Sequence, residues 1–133
     1  MEGRQRIVIL DDNEIFAALL SAALEDDFDV AVGHNGLEGI ALCLKGGVDA
    51  VVTDIGMPDL DGLAMLRKFS KDPRLSCIPV VVITATHFNS ISRADISRFP
   101  QVKRILSKDV SVETLASEVA AVLRESGAPP PAA

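Results

Sequence analysis

The chain of 133 residues is 48% hydrophobic and 24% charged, which supplies one soluble domain with its own core and leaves no room for a second. A formal net charge of -6 and a sequence pI near 4.8 exclude the clustered Lys and Arg surface that nucleic acid or an anionic membrane requires. Direct nucleic-acid binding is therefore not expected. Cys43 and Cys77 form no CxxC pair and lack zinc-type spacing, so both read as small reduced hydrophobes. MEGRQR leads into a short apolar run without a signal h-region, and no apolar span reaches membrane length. A cytoplasmic protein with no membrane contact is the expectation.

Extended and helical patterns alternate along the chain. Arg6 to Leu10 reads as a short buried strand, followed by Asp11, Asp12 and Asn13, the last capping a first helix on Ile15, Phe16, Leu19, Leu20, Ala23 and Leu24. Phe28 to Val32 is a second strand ended by Gly33. Leu37, Ile40, Ala41 and Leu44 mark a second helix stopped at Gly46-Gly47. Val48 to Thr53 is the third strand. A loop with Met57-Pro58 and Asp61-Gly62 precedes a third helix on Leu63, Leu66 and Phe69, finished by Asp72-Pro73. Pro79 to Thr84 is the fourth and most apolar strand. Residues 88–98 carry only a thin stripe of Phe88, Ile91 and Ile96, which predicts a short, weakly held fourth helix. Val102 to Leu106 is a fifth strand whose Lys103 and Arg104 suit a sheet edge, and Ser111 caps a last helix on Val112, Leu115, Ala116, Val119, Val122 and Leu123.

Five strand-helix units predict an α/β fold, a doubly wound five-stranded parallel sheet with right-handed crossovers and helices on both faces. The two very apolar strands at 48–53 and 79–84 suit central positions buried on both sides. The domain spans 1–126. Gly127 to Ala133, GAPPPAA, reads as an extended Pro-rich tail or the start of a linker.

In such a sheet the C-terminal strand ends share one edge, where ligands bind. Asp11 and Asp12, Asp54, Thr84 and Lys108 all follow or end apolar runs and so converge there. Two like charges about 4 Å apart repel by roughly 4 kcal/mol at an effective dielectric of about 20, so three carboxylates need a neutralising partner. A hard divalent cation and Lys108 are the candidates. Mg²⁺, with Mn²⁺ as an alternative ion, takes oxygen ligands from Asp12 and Asp54, with Asp11 in an outer role and a backbone carbonyl completing the protein's share. Asp54, between the Asp pair and Thr84 with Lys108, is then the nucleophile for phosphoryl transfer, and the product is an aspartyl phosphate.

The pieces ILDDNE, VVTDIGMPDLDG, VVVITA and ILSKD, in this order and spacing, resemble the receiver domain of two-component response regulators over about Arg6 to Glu125. That resemblance implies a flavodoxin-like sheet of order 2-1-3-4-5, phosphorylation of Asp54 from a sensor histidine kinase or a histidine phosphotransfer protein, and Mg²⁺ at Asp12, Asp54 and the Gly56 carbonyl. It further implies a switch in which Thr84 moves toward the phosphoryl group. The face of the fourth helix, fifth strand and fifth helix then changes for an unknown downstream protein. Ala85, small and next to Thr84, fits the pattern that leaves access to the phosphoryl group. Such a protein catalyses only its own phosphorylation and dephosphorylation, as a monomer or a weak homodimer.

Two positions depart from the pattern. Ile105 stands where the family usually has an aromatic that rotates inward, and Asp109 follows Lys108 where proline is usual, often after a cis bond. A cis bond before a non-proline costs about 2.5–4 kcal/mol, so a trans bond or a rearranged loop is expected. Gly56 and Thr86, which flank the phosphoryl group in the family, offer no acid or amide to guide water, and slow autodephosphorylation follows. Asp59 and Asp61 read as loop and helix-start residues, since the EF-hand spacing is missing. His34 reads as a solvated turn residue, and His87 as a neighbour of the pocket outside it. A complete protein is favoured over an excised domain because Met1 opens directly on the first strand. Two other classes stand beside the switch: a degenerate receiver acting as a scaffold, and a Mg²⁺-dependent phosphohydrolase, against which Gly56 stands where a second acid belongs.

Overall fold

The computed structural model describes residues 4–57, 59–60, 62–84 and 90–125. Ten elements alternate: β1 (Arg6–Leu10), α1 (Glu14–Leu24), β2 (Asp29–Gly33), α2 (Gly36–Leu44), β3 (Ala50–Asp54), α3 (Gly62–Lys71), β4 (Val80–Thr84), α4 (Ser90–Ser97), β5 (Val102–Ser107) and α5 (Val112–Glu125). All strand pairs are parallel and the sheet order is β2-β1-β3-β4-β5, the flavodoxin-like order. The central strands are buried on both faces, β4 along its whole length, because a parallel sheet is covered by its own crossovers.

Strand alternation divides the core in two. Val8, Leu10, Val51, Val80 and Val82 face a layer that includes Met65, Phe69 and Ile96 of α3 and α4. Ile7, Ile9, Val52, Val81 and Ile83 face Leu20 and Leu24 of α1 and Leu115 and Val119 of α5. Burying a large aliphatic or aromatic side chain contributes about 1.5–3 kcal/mol, so each layer holds its helices firmly. α4 is the shortest helix and keeps Ile96 fully buried. Between Val80 and Val81 the β4–β5 register slips: Val80 pairs with Val102 but Val81 pairs with Arg104, leaving Lys103 as an extra residue.

The caps follow the sequence. Asn13 Oδ1 accepts from the Phe16 amide at 3.0 Å, and Ser111 Oγ accepts from the Thr114 amide at 3.1 Å. Asn35 caps α2 in the same way, and α2 is followed by Gly46 and Gly47 at φ 89° and 75°, the left-handed region that glycine adopts without strain. No cis peptide bond occurs among the described residues, so the Lys108-Asp109 bond is trans.

Several expectations are corrected. β2 and β3 begin at Asp29 and Ala50 rather than Phe28 and Val48; Asp49 instead accepts from the Arg6 amide through its carboxylate at 2.8 Å. Ile15 and Leu19 are 76% and 54% exposed, because α1 buries the stripe of Ala17, Leu20 and Leu24. Leu37 and Leu44 also face outward, while Gly36, Gly39 and Cys43 are buried. Cys77 is exposed, unlike buried Cys43. His34 is partly solvated but not idle: its amide donates to Glu38 Oε1 at 2.9 Å, with the ring Nδ1 3.2 Å from the same oxygen. Pro58, Asp61, Ala85, Thr86, His87, Phe88 and Gly127 to Ala133 lie outside the described residues. No helix among the described residues is long and apolar enough to cross a membrane.

Candidate functional site

Register brings the polar strand ends together. Leu10 pairs with Thr53, so Asp11 and Asp54 are the next residues on neighbouring strands. Thr84 pairs with Ser107, which puts Lys108 one step beyond, and its amide donates to the Thr84 carbonyl at 2.8 Å. The chain reverses its direction of growth between β1 and β3, the point at which open sheets of this kind leave a ligand crevice.

At that crevice one oxygen from each of Asp11, Asp12 and Asp54 lies within 4.8 Å of the others. Asp11 is only 2% exposed, whereas Asp12 faces solvent. Lys108 Nζ lies 2.8 Å from Asp11 Oδ2 and 3.4 Å from Asp54 Oδ2. The backbone holds the other carboxylate oxygens: the Asn13 amide donates to Asp11 Oδ1 at 2.9 Å and the Ile55 amide to Asp54 Oδ1 at 2.8 Å. Three formal negative charges against one positive leave two uncompensated. That excess and the all-oxygen donor set fit a hard divalent cation.

Burial pushes the Asp54 carboxyl above its ordinary value; the Lys108 charge opposes this, and the Asp11 charge reinforces it. For Lys108, burial alone would lower the pKa, but the hydrogen bond to Asp11 and the charges of Asp54 and Asp11 outweigh it, and the net shift is upward. Lys108 is therefore an ammonium, and Asp54 a carboxylate more basic than one in water.

Thr84 is buried at the end of β4. Gly56 stands in the open, with nothing within 4 Å of where a Cβ would project. Ile105 is half-buried and packs on the α3–α4 layer. Asp59, at φ 64°, faces Asn35, whose amide nitrogen donates to it at 3.4 Å. Asp59 is not among the clustered carboxylates. Sequence reasoning placed Phe16 only as a helix-stripe residue, yet its ring centroid lies 4.8 Å from Lys108 Nζ. Helical spacing shows which side of α1 carries Phe16; only the packing of α1 against the β5 end shows what the ring meets.

The sequence model of the response regulator receiver domain family matches residues 7–120. The chain belongs to this family. Among relatives of the receiver, Protein PilH of Pseudomonas aeruginosa is 35% identical over 119 residues, covering 89% of this chain and 97% of PilH. The uncharacterized transcriptional regulatory protein YkoG of Bacillus subtilis is 32% identical, covering 91% of this chain and 52% of YkoG. The receiver thus spans about half the length of YkoG and nearly all of PilH. Among solved structures, a CheY-like response regulator receiver domain protein from Methanospirillum hungatei superposes with a TM-score of 0.82 at 22% identity, covering 93% and 97% of the two chains. The chemotaxis response regulator CheY4 of Vibrio cholerae gives 0.80 at 19% identity, covering 90% and 98%.

The receiver's loop after Asp54 is clamped from two sides. The Gly62 amide donates to the Ile55 carbonyl at 2.9 Å, and the Gly36 amide to the Leu60 carbonyl at 2.8 Å. A Cβ on Gly62 would stand 2.8 Å from the Asp54 carbonyl oxygen, and one on Gly36 would stand 2.6 Å from the Leu60 carbonyl oxygen. Both positions need glycine for close backbone approach.

Proposed function

We propose that this receiver accepts a phosphoryl group on Asp54 from a histidine of a sensor kinase or phosphotransfer protein and thereby switches a binding surface. The observation that carries the reading is the Asp11, Asp12 and Asp54 cluster with Lys108 between two of its carboxylates. Asp11, Asp12, Asp54 and the Gly56 carbonyl are the groups to hold Mg²⁺, which when bound supplies positive charge to the phosphoryl oxygens. An Asp54 oxygen forms the new O–P bond as the donor's P–N bond breaks, and the departing electron pair stays on the imidazole nitrogen. Lys108 offsets charge on the transferred group, and the Thr84 hydroxyl donates to it. The chain acts only on its own acyl phosphate.

The new charge draws Thr84, and with it the segment leading into α4. Ser97 of α4 and Val102, Lys103, Arg104 and Ile105 of β5 line a shallow groove, which supports reading the α4–β5–α5 face as the output surface for a protein partner. The DNA binding named for RpaA of Synechocystis belongs to a protein of which this chain spans 53%. The test is mass spectrometry after incubation with acetyl phosphate and Mg²⁺. One added phosphoryl group in the wild type and none in Asp54→Ala supports the acceptor, while multiple turnover of a small phosphomonoester points to a hydrolase. Failure to bind both Mg²⁺ and beryllofluoride reduces the chain to a scaffold.

A further inference from the structure

We infer that Phe16 is a positioning residue for Lys108: the face of its ring, built into the first turn of α1, holds the ammonium at the acidic cluster. The inference rests on the reading of Asp54 as phosphoryl acceptor and adds a residue from outside the charged set. Lysine carries its charge on a flexible four-carbon stem with much rotamer freedom to lose, and here the base of that stem is anchored by the Lys108 amide donating to the Thr84 carbonyl. Two carboxylates pull on Nζ, at 2.8 and 3.4 Å. The Phe16 centroid at 4.8 Å lies well inside the roughly 6 Å over which an aromatic face attracts a cation.

The ring is itself fixed. Asp11 Oδ1 accepts from the Asn13 amide, and Asn13 Oδ1 accepts from the Phe16 amide. One short turn thus carries both the carboxylate that binds Lys108 most closely and the ring beside it. Phe16 packs on the α1–α5 layer of the core, so it does not follow the lysine as the lysine moves. An aromatic face attracts without a directional hydrogen bond. Nζ therefore retains this attraction when it turns from a carboxylate toward a phosphoryl oxygen. Leucine or methionine at this position fills space but offers no such field.

Beryllofluoride affinity at saturating Mg²⁺, read by fluorine NMR, tests the inference in the full chain, with thermal unfolding and Mg²⁺ affinity measured alongside. Phe16→Leu is expected to weaken beryllofluoride binding about three- to tenfold, Phe16→Met to match it, and Phe16→Tyr, which keeps the ring face, to restore the wild-type value. Mg²⁺ affinity is expected to stay unchanged. In a Lys108→Met background Phe16→Leu should add nothing, since the cycle isolates the pair. Wild-type affinity in Phe16→Leu or Phe16→Met, equal weakening in Phe16→Tyr, or a full effect without Lys108 overturns the inference. If Asp54 in the wild type takes neither beryllofluoride nor phosphate, the acceptor reading fails and the inference falls with it.

Discussion

Lys108 is 0.6 Å closer to Asp11 than to Asp54, with Nζ at 2.8 and 3.4 Å from the two carboxylates. The ammonium is held chiefly by the more buried acid, which keeps it near Asp54 without tying up the proposed acceptor. Replacing Asp11 with Ala removes the shared acceptor of Lys108 and the Asn13 amide. Relief of repulsion with Asp54 offsets part of that loss. A net destabilisation of about 1–3 kcal/mol is expected, measured by urea unfolding near neutral pH in chelator, together with weaker Mg²⁺ binding by calorimetry.

The acidic cluster also sets a pH signature in the metal-free protein. Folding raises the Asp54 pKa above 3.8, so the folded state holds that proton to higher pH than the unfolded chain does. The stability from this group is greatest at low pH and falls as the pH rises from 3.8 through the folded pKa. Asp54→Asn should therefore gain stability relative to wild type as the pH rises between about 3 and 7 in chelator. A constant difference in urea midpoint across that range would contradict the assignment. Lys108 works in the same sense in a higher pH range: its contribution is full below 10.5 and is lost as the pH rises through a folded pKa above it, a loss that Lys108→Met should not show.

The two thiols should separate cleanly by reactivity. Burial pushes the Cys43 thiol up to about 12, so little thiolate exists there at mildly alkaline pH, and the side chain is out of reach of reagent. Cys77 is exposed. One equivalent of a thiol-specific chromogenic reagent should react with the native protein and two with the unfolded chain, and Cys77→Ser should abolish the native reaction.

Gly62 tests the clamp on the loop after Asp54. An added Cβ meets backbone atoms of Asp54 and Ile55 at 2.8 and 2.9 Å, and backbone cannot turn aside as a side chain does. Gly62→Ala is expected to cost about 1–3 kcal/mol and to weaken Mg²⁺ binding through displacement of the Gly56 carbonyl. Gly56→Ala, in open space, should leave stability nearly unchanged. Equal unfolding midpoints for the two variants would sink the argument.

The sheet order and the site acids were legible because each rests on a strong local signal. Buried parallel strands are short apolar runs, and Asp11, Asp54 and Lys108 each sit where such a run stops. Asn13 and Ser111 were readable as caps for the same reason: a short polar side chain before an apolar repeat has one obvious use. Ile15 and Leu19 were misread because an apolar residue on a helix can face solvent without penalty large enough to forbid it. Cys77 is a free thiol as expected, yet exposed, because apolar neighbours in sequence do not make a buried position in a loop. Asn35 and Phe16 were missed as contributors because their roles depend on what lies opposite them. Asn35 meets Asp59 across 24 residues of chain, and Phe16 meets Lys108 across a helix-sheet boundary.

The extra residue in β5 changes how that strand counts. Strict alternation from Val102 would place Ile105 on the opposite face, yet both pack on the α3–α4 layer, while Arg104 reaches Glu118 and Glu125 of α5 on the other side. Lys103 absorbs the mismatch. Excising it would leave a regular two-residue rhythm from Val102 through Ser107, with no side chain inverted and Ser107 still level with Thr84. Loss of Leu106 would instead either turn the strand's preceding residues over or drag the lysine out of reach. The edge strand therefore contains a length buffer, and tolerance to shortening by one residue belongs at Lys103.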